Sequence, residues 1–172
     1  MIADLTSTRE RLKRGISNAA QEIETCIAIA QSPACQHAFM RTMFATARDS
    51  AAATQAQQRP LAGLSVSIKD LFDVAGQSTT AGSKVLADAV PAAQDCLAVA
   101  RLRRAGASLL GRTQMVEFAF SGIGTNPHYG TPAAWDGRYD MRVGPHGAAR
   151  IPGGSSSGAA VSVASGAAFI GL

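Results

Sequence analysis

Two places in this sequence hold side chains able to do chemistry together: the run Gly153-Gly154-Ser155-Ser156-Ser157-Gly158 and, far upstream, Lys69. Glycine opens backbone conformations closed to other residues. Such a run can therefore press serine hydroxyls and backbone N–H groups toward one point. A neutral amine near that point takes a proton from a serine hydroxyl and acts as a general base. The same composition also describes a flexible Gly/Ser linker. Against a linker stand the flanks, Ile151-Pro152 before the run and Ala159-Ala-Val-Ser-Val-Ala164 after it, which read as packed segments. From these residues alone, site and linker both remain open.

Lys69 sits at the end of a clean alternation. Leu64, Val66 and Ile68 point to one side of a predicted strand, and Ser65, Ser67 and Lys69 to the other. A lysine in line with two serines marks either an exposed sheet face or the polar floor of a pocket. The serine run downstream favours the pocket floor.

Four segments in order resemble the amidase signature family. They are Pro60-Leu-Ala-Gly-Leu-Ser-Val-Ser-Ile-Lys-Asp70, Gly111-Arg-Thr-Gln-Met-Val-Glu-Phe-Ala119, Asn126-Pro-His-Tyr-Gly-Thr-Pro132 and Pro152-Gly-Gly-Ser-Ser-Ser-Gly158. The resemblance runs from about Ile16 to Leu172. It implies a Ser–cis-Ser–Lys hydrolase acting on carboxamides, with Lys69 as the base. Ser155 matches the bridging serine, whose preceding peptide bond is cis in the family, and Gly153, Gly154 and Ser156 support it. Ala119, Phe120, Ser121 and Gly122 match a stretch beside the acyl side of the pocket, where Phe120 is expected to contact substrate. The family's nucleophile is a serine in a later Gly-Gly-Ser-Ile-Arg-like segment, which falls a few residues past Leu172. The 172 residues contain no such segment. This chain alone is therefore expected to be inactive.

The implied fold class is α/β, a mixed sheet covered by helices and incomplete at its C-terminus. Residues 1–172 would form the N-terminal portion of a single amidase domain. Of these, 1–60 would be mainly helical and 61–172 would form the α/β core with the Lys69 strand and the GGSSSG loop. The implied partner is a small-molecule amide, with no cofactor and no metal; a homodimer is the oligomeric expectation. The A subunit of glutamyl-tRNA amidotransferase belongs to the same family and would bring protein partners and tRNA. The aperiodic stretch Ala133–Ala149 reads as an insertion and weighs against that option. A non-catalytic fragment or interaction module is the other alternative.

The end of the chain carries its own expectation. Ala167-Ala-Phe-Ile-Gly-Leu172 is an apolar run that reads as core. Either it is tied into a sheet, or the domain is incomplete and Val161–Leu172 turns apolar side chains toward solvent or a partner. The second is the expectation.

Competing chemistries fail by counting. Gly154-Ser-Ser-Ser-Gly158 fits the G-x-S-x-G nucleophile elbow, but that scheme needs an acid and then a histidine later. The 14 residues after Gly158 include no Asp, Glu or His. Ser65 and Ser67 lie four and two residues before Lys69 rather than three, so there is no S-x-x-K pair. No Gly-Lys-Ser/Thr follows the glycines, so there is no P-loop. His37, His128 and His146 lack a second ligand at i+4 and read as non-metal residues. Asp70 and Asp73 read as turn or cap residues, and Glu117 as a local structural partner.

Composition sets broader bounds. A hydrophobic fraction of 47% argues for a folded core. The net charge of +4 is scattered, apart from Arg101, Arg103 and Arg104. These fit a solvated helix face opposite Leu97, Ala100 and Leu102, not a nucleic-acid surface, because no aromatic residues interleave them. Three cysteines without metal spacing fit a reducing compartment. With no leader-like N-terminus and no apolar run long enough for a bilayer, the expected location is the cytoplasm.

The remaining elements follow from caps and periods. Ser7-Thr-Arg-Glu10 predicts a capping box opening a short helix to Gly15. Asn18–Ala30 predicts a helix with Ile23, Ile27 and Ala30 inward and Gln21 and Glu22 off that face. Ala38–Met40 is a predicted strand, Phe44–Gln57 an alanine-rich helix, Asp95–Arg104 a helix closed by Gly106, and Ala107–Leu110 a buried strand. Met115–Phe118 predicts a helical turn, and Gly122–Pro132 a loop.

Overall fold

A computed structural model describes residues 4–54, 59–134 and 150–172. Helix α1 spans Leu5–Lys13 and α2 spans Ala19–Ala30. A 3₁₀ turn at Pro33–Cys35 leads into β1, Phe39–Thr42, and then α3, Phe44–Thr54. Strand β2 is Ser65–Lys69, α4 is Leu97–Arg104, and β3 is Ser108–Thr113. A second 3₁₀ turn, Glu117–Ala119, precedes α5, Ser157–Ala164, and β4, Ile170–Gly171. The sheet order is β1-β3-β2-β4. Strand β1 runs antiparallel to β3, while β2 is parallel to both β3 and β4. This is the expected α/β class, a mixed sheet with five α-helices among the described residues.

Both faces of the sheet are covered, which is why β2 and β3 are buried along their whole length. On one face Ile23, Cys26 and Ile27 of α2, Ala47 and Ala51 of α3 and Val161 of α5 pack around Leu110. On the other, Val99 of α4 and Val74 pack on Val66, Ile68 and Leu109. Each large side chain so buried contributes roughly 1.5–3 kcal/mol. The β2–β3 register slips between Val66 and Ser67, leaving Leu110 as the extra residue between Leu109 and Gly111; Leu110 packs in the first cluster and Leu109 in the second.

Helix α2 forms as expected, with a capping box in which Asn18 and Gln21 satisfy each other's backbone N–H. Glu22, expected off the packed face, is instead buried, because Arg11 of α1 meets its carboxylate at 2.7 Å. Helix α1 opens at Asp4 rather than Ser7: the Asp4 carboxylate accepts the Ser7 N–H at 2.7 Å. Asp4-x-x-Ser7 and Ser7-x-x-Glu10 both fit a cap pattern, and the earlier one takes the unpaired donors.

Helix α4 corrects two expectations. Its N-cap is Cys96, while Asp95 accepts the Ala75 N–H and pairs with Arg103 at 2.8 Å. Leu97 is 62% exposed, and Val99 faces the core in its place. Gly106 follows the helix with φ +93°, the left-handed residue that closes such an end. The predicted turn at Met115–Phe118 begins two residues later, and α3 is described only to Thr54, so its expected end at Gln57 lies outside the described residues. Of the stretch Ala133–Ala149, residues 135–149 lie outside them too.

The C-terminal run is covered rather than bare. Val161, Ala167 and Ala168 are buried, Phe169 packs on the first core cluster, and Ile170 and Leu172 on the second. Strand β4 pairs with β2, and only Val163, 40% exposed, shows a large apolar side chain. Pairing with β2 satisfies this segment where the sequence suggested exposure. No helix among the described residues is long and apolar enough to cross a membrane.

Candidate active site

Strand β2 aims its polar face at α5. Ser67 shares a hydrogen bond of 2.8 Å with Ser162, and Ser65 donates to the Ala167 carbonyl at 2.9 Å, with its Oγ 3.2 Å from Cys26 Sγ. These serines stitch the strand to the helices and are fully buried. They are not a pocket floor. Lys69, last on the same face, passes the start of α5 and reaches the segment in front of it. Its own backbone is fixed: Lys69 N–H donates to the Leu172 carbonyl at 2.8 Å, and its carbonyl accepts from Phe72.

The glycine–serine run is an ordered turn into α5, which removes the linker alternative. The Gly154 N–H donates to the Gly122 carbonyl at 2.8 Å, and the Ser155 carbonyl accepts from Val116 at 3.0 Å. The Gly154–Ser155 peptide bond is cis. Gly158 lets the helix start press on the sheet, since a Cβ there would run into the Ala38 carbonyl and the backbone of Gln114. With the turn held this way, Lys69 Nζ lies 2.7 Å from Ser155 Oγ and 2.9 Å from Ser156 Oγ. Gly153, with φ +82°, shapes the approach. Ser157 faces away, buried against Gln114.

Lys69 is 8% exposed, and among the described residues no carboxylate forms an ion pair with it. Burial disfavours the charged amine and pulls its pKa below the ordinary 10.5. Asp70, the next residue, turns instead to Arg112 on β3, whose Nε donates at 2.5 Å. Burial thus shifts Lys69 toward its neutral form, and the amine is in hydrogen-bond reach of two hydroxyls.

The matched stretch at 119–122 adjoins this turn through the Gly122–Gly154 bond. Phe118 and Ala119 both occupy the left-handed region, φ +50° and +61°. That conformation costs a non-glycine residue roughly 1–2 kcal/mol. It is held by the Phe118 N–H on the Ala81 carbonyl at 2.9 Å and by the side chain of Glu117. Glu117 accepts from Ser83 at 2.6 Å and contacts His128 Nε2 at 3.1 Å. The Ser83 hydroxyl first, and then His128, hold the Glu117 carboxyl below its usual range. This is the local structural role expected for Glu117. Phe120 is 89% exposed, Gly122 is exposed, and Ala119 and Ser121 are half-buried.

Sequence reasoning missed three contributors. Asp70 and Arg112 form a buried pair, with Asp70 also accepting from Thr80 Oγ1 and the Gly82 N–H. Asn126 is buried and donates from Nδ2 to the carbonyls of Gly82 and Met115 at 2.8 and 2.9 Å. Its Oδ1 accepts from the N–H groups of His128 and Tyr129. The Asn-Pro dipeptide signals such a turn, but not the two carbonyls that the amide would reach.

Residues 22–172 match the model of the Amidase family. The chain is 38% identical over 174 residues to the A subunit of glutamyl-tRNA(Gln) amidotransferase from Nitratidesulfovibrio vulgaris (strain DP4), covering 98% of this chain and 33% of the relative. It is 43% identical over 107 residues to the AtzE subunit of 1-carboxybiuret hydrolase from Pseudomonas sp. (strain ADP), covering 62% of this chain and 21% of that one. A crystal structure of an amidase superposes with a TM-score of 0.79 at 32% identity, covering 97% of this chain and 37% of that one. 6-Aminohexanoate cyclic dimer hydrolase superposes at 0.81 with 25% identity, covering 96% and 32%. The chain thus spans about a third of the length of that A subunit. A family match over residues 22–172, together with solved relatives that share the fold, shows that the chain belongs to the amidase signature family of amidase-type enzymes.

Proposed function

We propose that Lys69 and Ser155 are the base and the bridging hydroxyl of a site that hydrolyses the C–N bond of a carboxamide. The observation that carries this is the 2.7 Å approach of a buried amine, free of any carboxylate among the described residues, to the Ser155 hydroxyl. The distance falls in the range of about 2.6–3.2 Å that proton transfer requires. Neutral Lys69 accepts the Ser155 proton while Ser155 accepts the proton of an attacking hydroxyl. That oxygen forms a bond to the carbonyl carbon, the C–N bond breaks, and the relayed proton goes to the departing nitrogen. Water then takes the place of the attacking hydroxyl, and the acid is released. On this reading the attacking hydroxyl comes from a serine other than Ser155 and Ser156, and the 172 residues by themselves are expected to show no turnover. Ser156, 2.9 Å from the same amine, holds it in place. Phe120, beside the turn, contacts the acyl group.

The 38% identity over nearly the whole chain favours a second reading, that the site serves an amidotransferase working with partner subunits. The experiment compares the 172-residue chain with protein read through its downstream coding sequence, on simple amides. Turnover in the extended form alone, lost in Lys69→Ala, is the expected result. Turnover that needs added partner subunits supports the second reading. Turnover by the short chain refutes the assignment of the nucleophile, and Lys69-independent turnover refutes the base.

A further inference from the structure

Lys69 and Ser155 are 86 residues apart, and their mutual hydrogen bond is one side of a closed ring. Starting from Lys69, the peptide link leads to Asp70, whose carboxylate accepts the Gly82 N–H at 3.2 Å and the Thr80 hydroxyl. The Gly82 carbonyl accepts from Asn126 Nδ2 at 2.8 Å, and the same nitrogen donates to the Met115 carbonyl at 2.9 Å. The next residue, Val116, donates its N–H to the Ser155 carbonyl at 3.0 Å. The ring is then closed by Lys69 on Ser155. The 79–83 loop answers to Lys69 and the 115–119 turn to Ser155, and Asn126 joins the two from a third segment. Loop and turn also meet directly, through the Phe118 N–H on the Ala81 carbonyl and through Ser83 on Glu117. Those two contacts run alongside the Asn126 bridge, from buried Ala81 and Ser83 to Phe118, which is 42% exposed, and Glu117. Asn126 is 2% exposed, and its bond to Met115 is next in sequence to the Val116 N–H that holds Ser155.

We infer that Asn126 is a positioning residue of the proposed site, closing the hydrogen-bonded ring that holds Ser155 against Lys69. This rests on the reading of Lys69 and Ser155 given above. The chemistry suits the task. An amide nitrogen carries two N–H donors in one plane, so it can bridge two carbonyls; a carboxylate has none, and a hydroxyl has one. The Asn126 oxygen is occupied by the His128 and Tyr129 N–H groups, and its own N–H by Thr131 Oγ1 at 3.0 Å. The side chain therefore has no alternative pose in which these bonds persist. Glu117 supports the same junction from outside the ring, through Ser83 and His128.

The test uses the 172-residue chain, with Asn126→Ala and Thr80→Val as variants and Ile27→Ala as a destabilised control outside the ring. Two quantities are read: exchange of the Val116 amide, and the pH midpoint for acylation of Lys69 with Lys13 and Lys84 as internal references. In Asn126→Ala, Val116 exchange should rise at least about tenfold over that of the control, as expected for a locally opened bond. The Lys69 midpoint should move up toward the ordinary 10.5 as water enters. Thr80→Val should change both in the same direction by less, and it carries the test if Asn126→Ala does not fold. Val116 exchange that matches the control overturns the ring whatever Lys69 does. A wild-type Lys69 with its midpoint at the ordinary 10.5, while Val116 responds as expected, refutes the base and leaves the ring standing.

Discussion

Replacing Arg112 by methionine should destabilise the protein more than most single changes, for a reason visible at one buried pair. The Arg112 side chain is 1% exposed and that of Asp70 is 3% exposed, with Nε and Oδ1 2.5 Å apart. Arg112 Nη2 also donates to Thr79 at 3.2 Å, but Nη1 is buried with no partner among the described residues. The arginine is thus incompletely solvated by protein, and its main function is to neutralise Asp70. Methionine fills similar space and removes the charge. Asp70 would remain buried as a carboxylate with only the Thr80 hydroxyl and the Gly82 N–H as donors. Breaking one side of such a pair costs about 3–5 kcal/mol. With a urea slope of roughly 2 kcal/mol per molar, that moves the unfolding midpoint down by about 1.5–2.5 M. The double variant Arg112→Met, Asp70→Asn removes both charges and keeps an acceptor for Thr80 and Gly82. It should recover most of the loss, because uncharged replacement of a buried pair is often neutral. A single variant whose midpoint stays within about 0.3 M of the parent would refute the reasoning. So would a double variant as unstable as the single one, since an unpaired charge could not then be the cause.

Lys69→Met tests the buried amine through stability. Because the folded pKa lies below the ordinary 10.5, the folded protein binds fewer protons than the unfolded chain between those two values. Wild-type stability relative to Lys69→Met should therefore rise with pH across that window and run parallel below and above it. Urea midpoints measured at intervals up to pH 10.5 read this, and curves parallel throughout would show that Lys69 is not perturbed. Gly158→Ala should cost about 1–3 kcal/mol by overpacking α5 against the sheet, offset by up to about 1 kcal/mol of helix propensity. A melting temperature unchanged or raised in the variant would mean that the helix can lift off without penalty.

Local rules made part of this fold legible. Ile23, Ile27 and Ala30 recur on one face, and Leu64–Lys69 alternates, so α2 and β2 could be read directly. The α5 turn was legible only as a choice, because Gly/Ser composition permits order and disorder alike until the flanks are packed. What failed depends on distant partners. Glu22 is buried because Arg11 lies on another helix, and Ser65 and Ser67 are stitches because α5 and the chain beyond it cover them. Alternation gives the face of a side chain but not what packs on it. Ala167–Leu172 reads as exposed core until β2 is known to accept it as a neighbour. Arg112 sits on a buried strand, where charge is disfavoured by pattern; only the tertiary position of Asp70 explains it.

The two halves of the proposed relay are held by backbone bonds that no substrate needs to form. Lys69 is tied on the strand side by Leu172, and Ser155 on the turn side by Val116 and, one residue earlier, by Gly122. Groups anchored on a strand end and a helix start keep tighter geometry than groups on free loops. Proton transfer between them then requires little rearrangement beyond the proton itself, which is the condition under which a preorganised site lowers a barrier. The same fixity limits the site. Burial lowers the pKa of this amine, and a carboxylate brought into that space would raise it again and oppose its use as a base. Asp70 shows how near such a charge lies: it is the adjacent residue, and Arg112 on β3 holds its carboxylate. Keeping that acid from the Lys69 amine is a requirement of the proposed chemistry, and the buried Asp70–Arg112 pair is the feature that meets it.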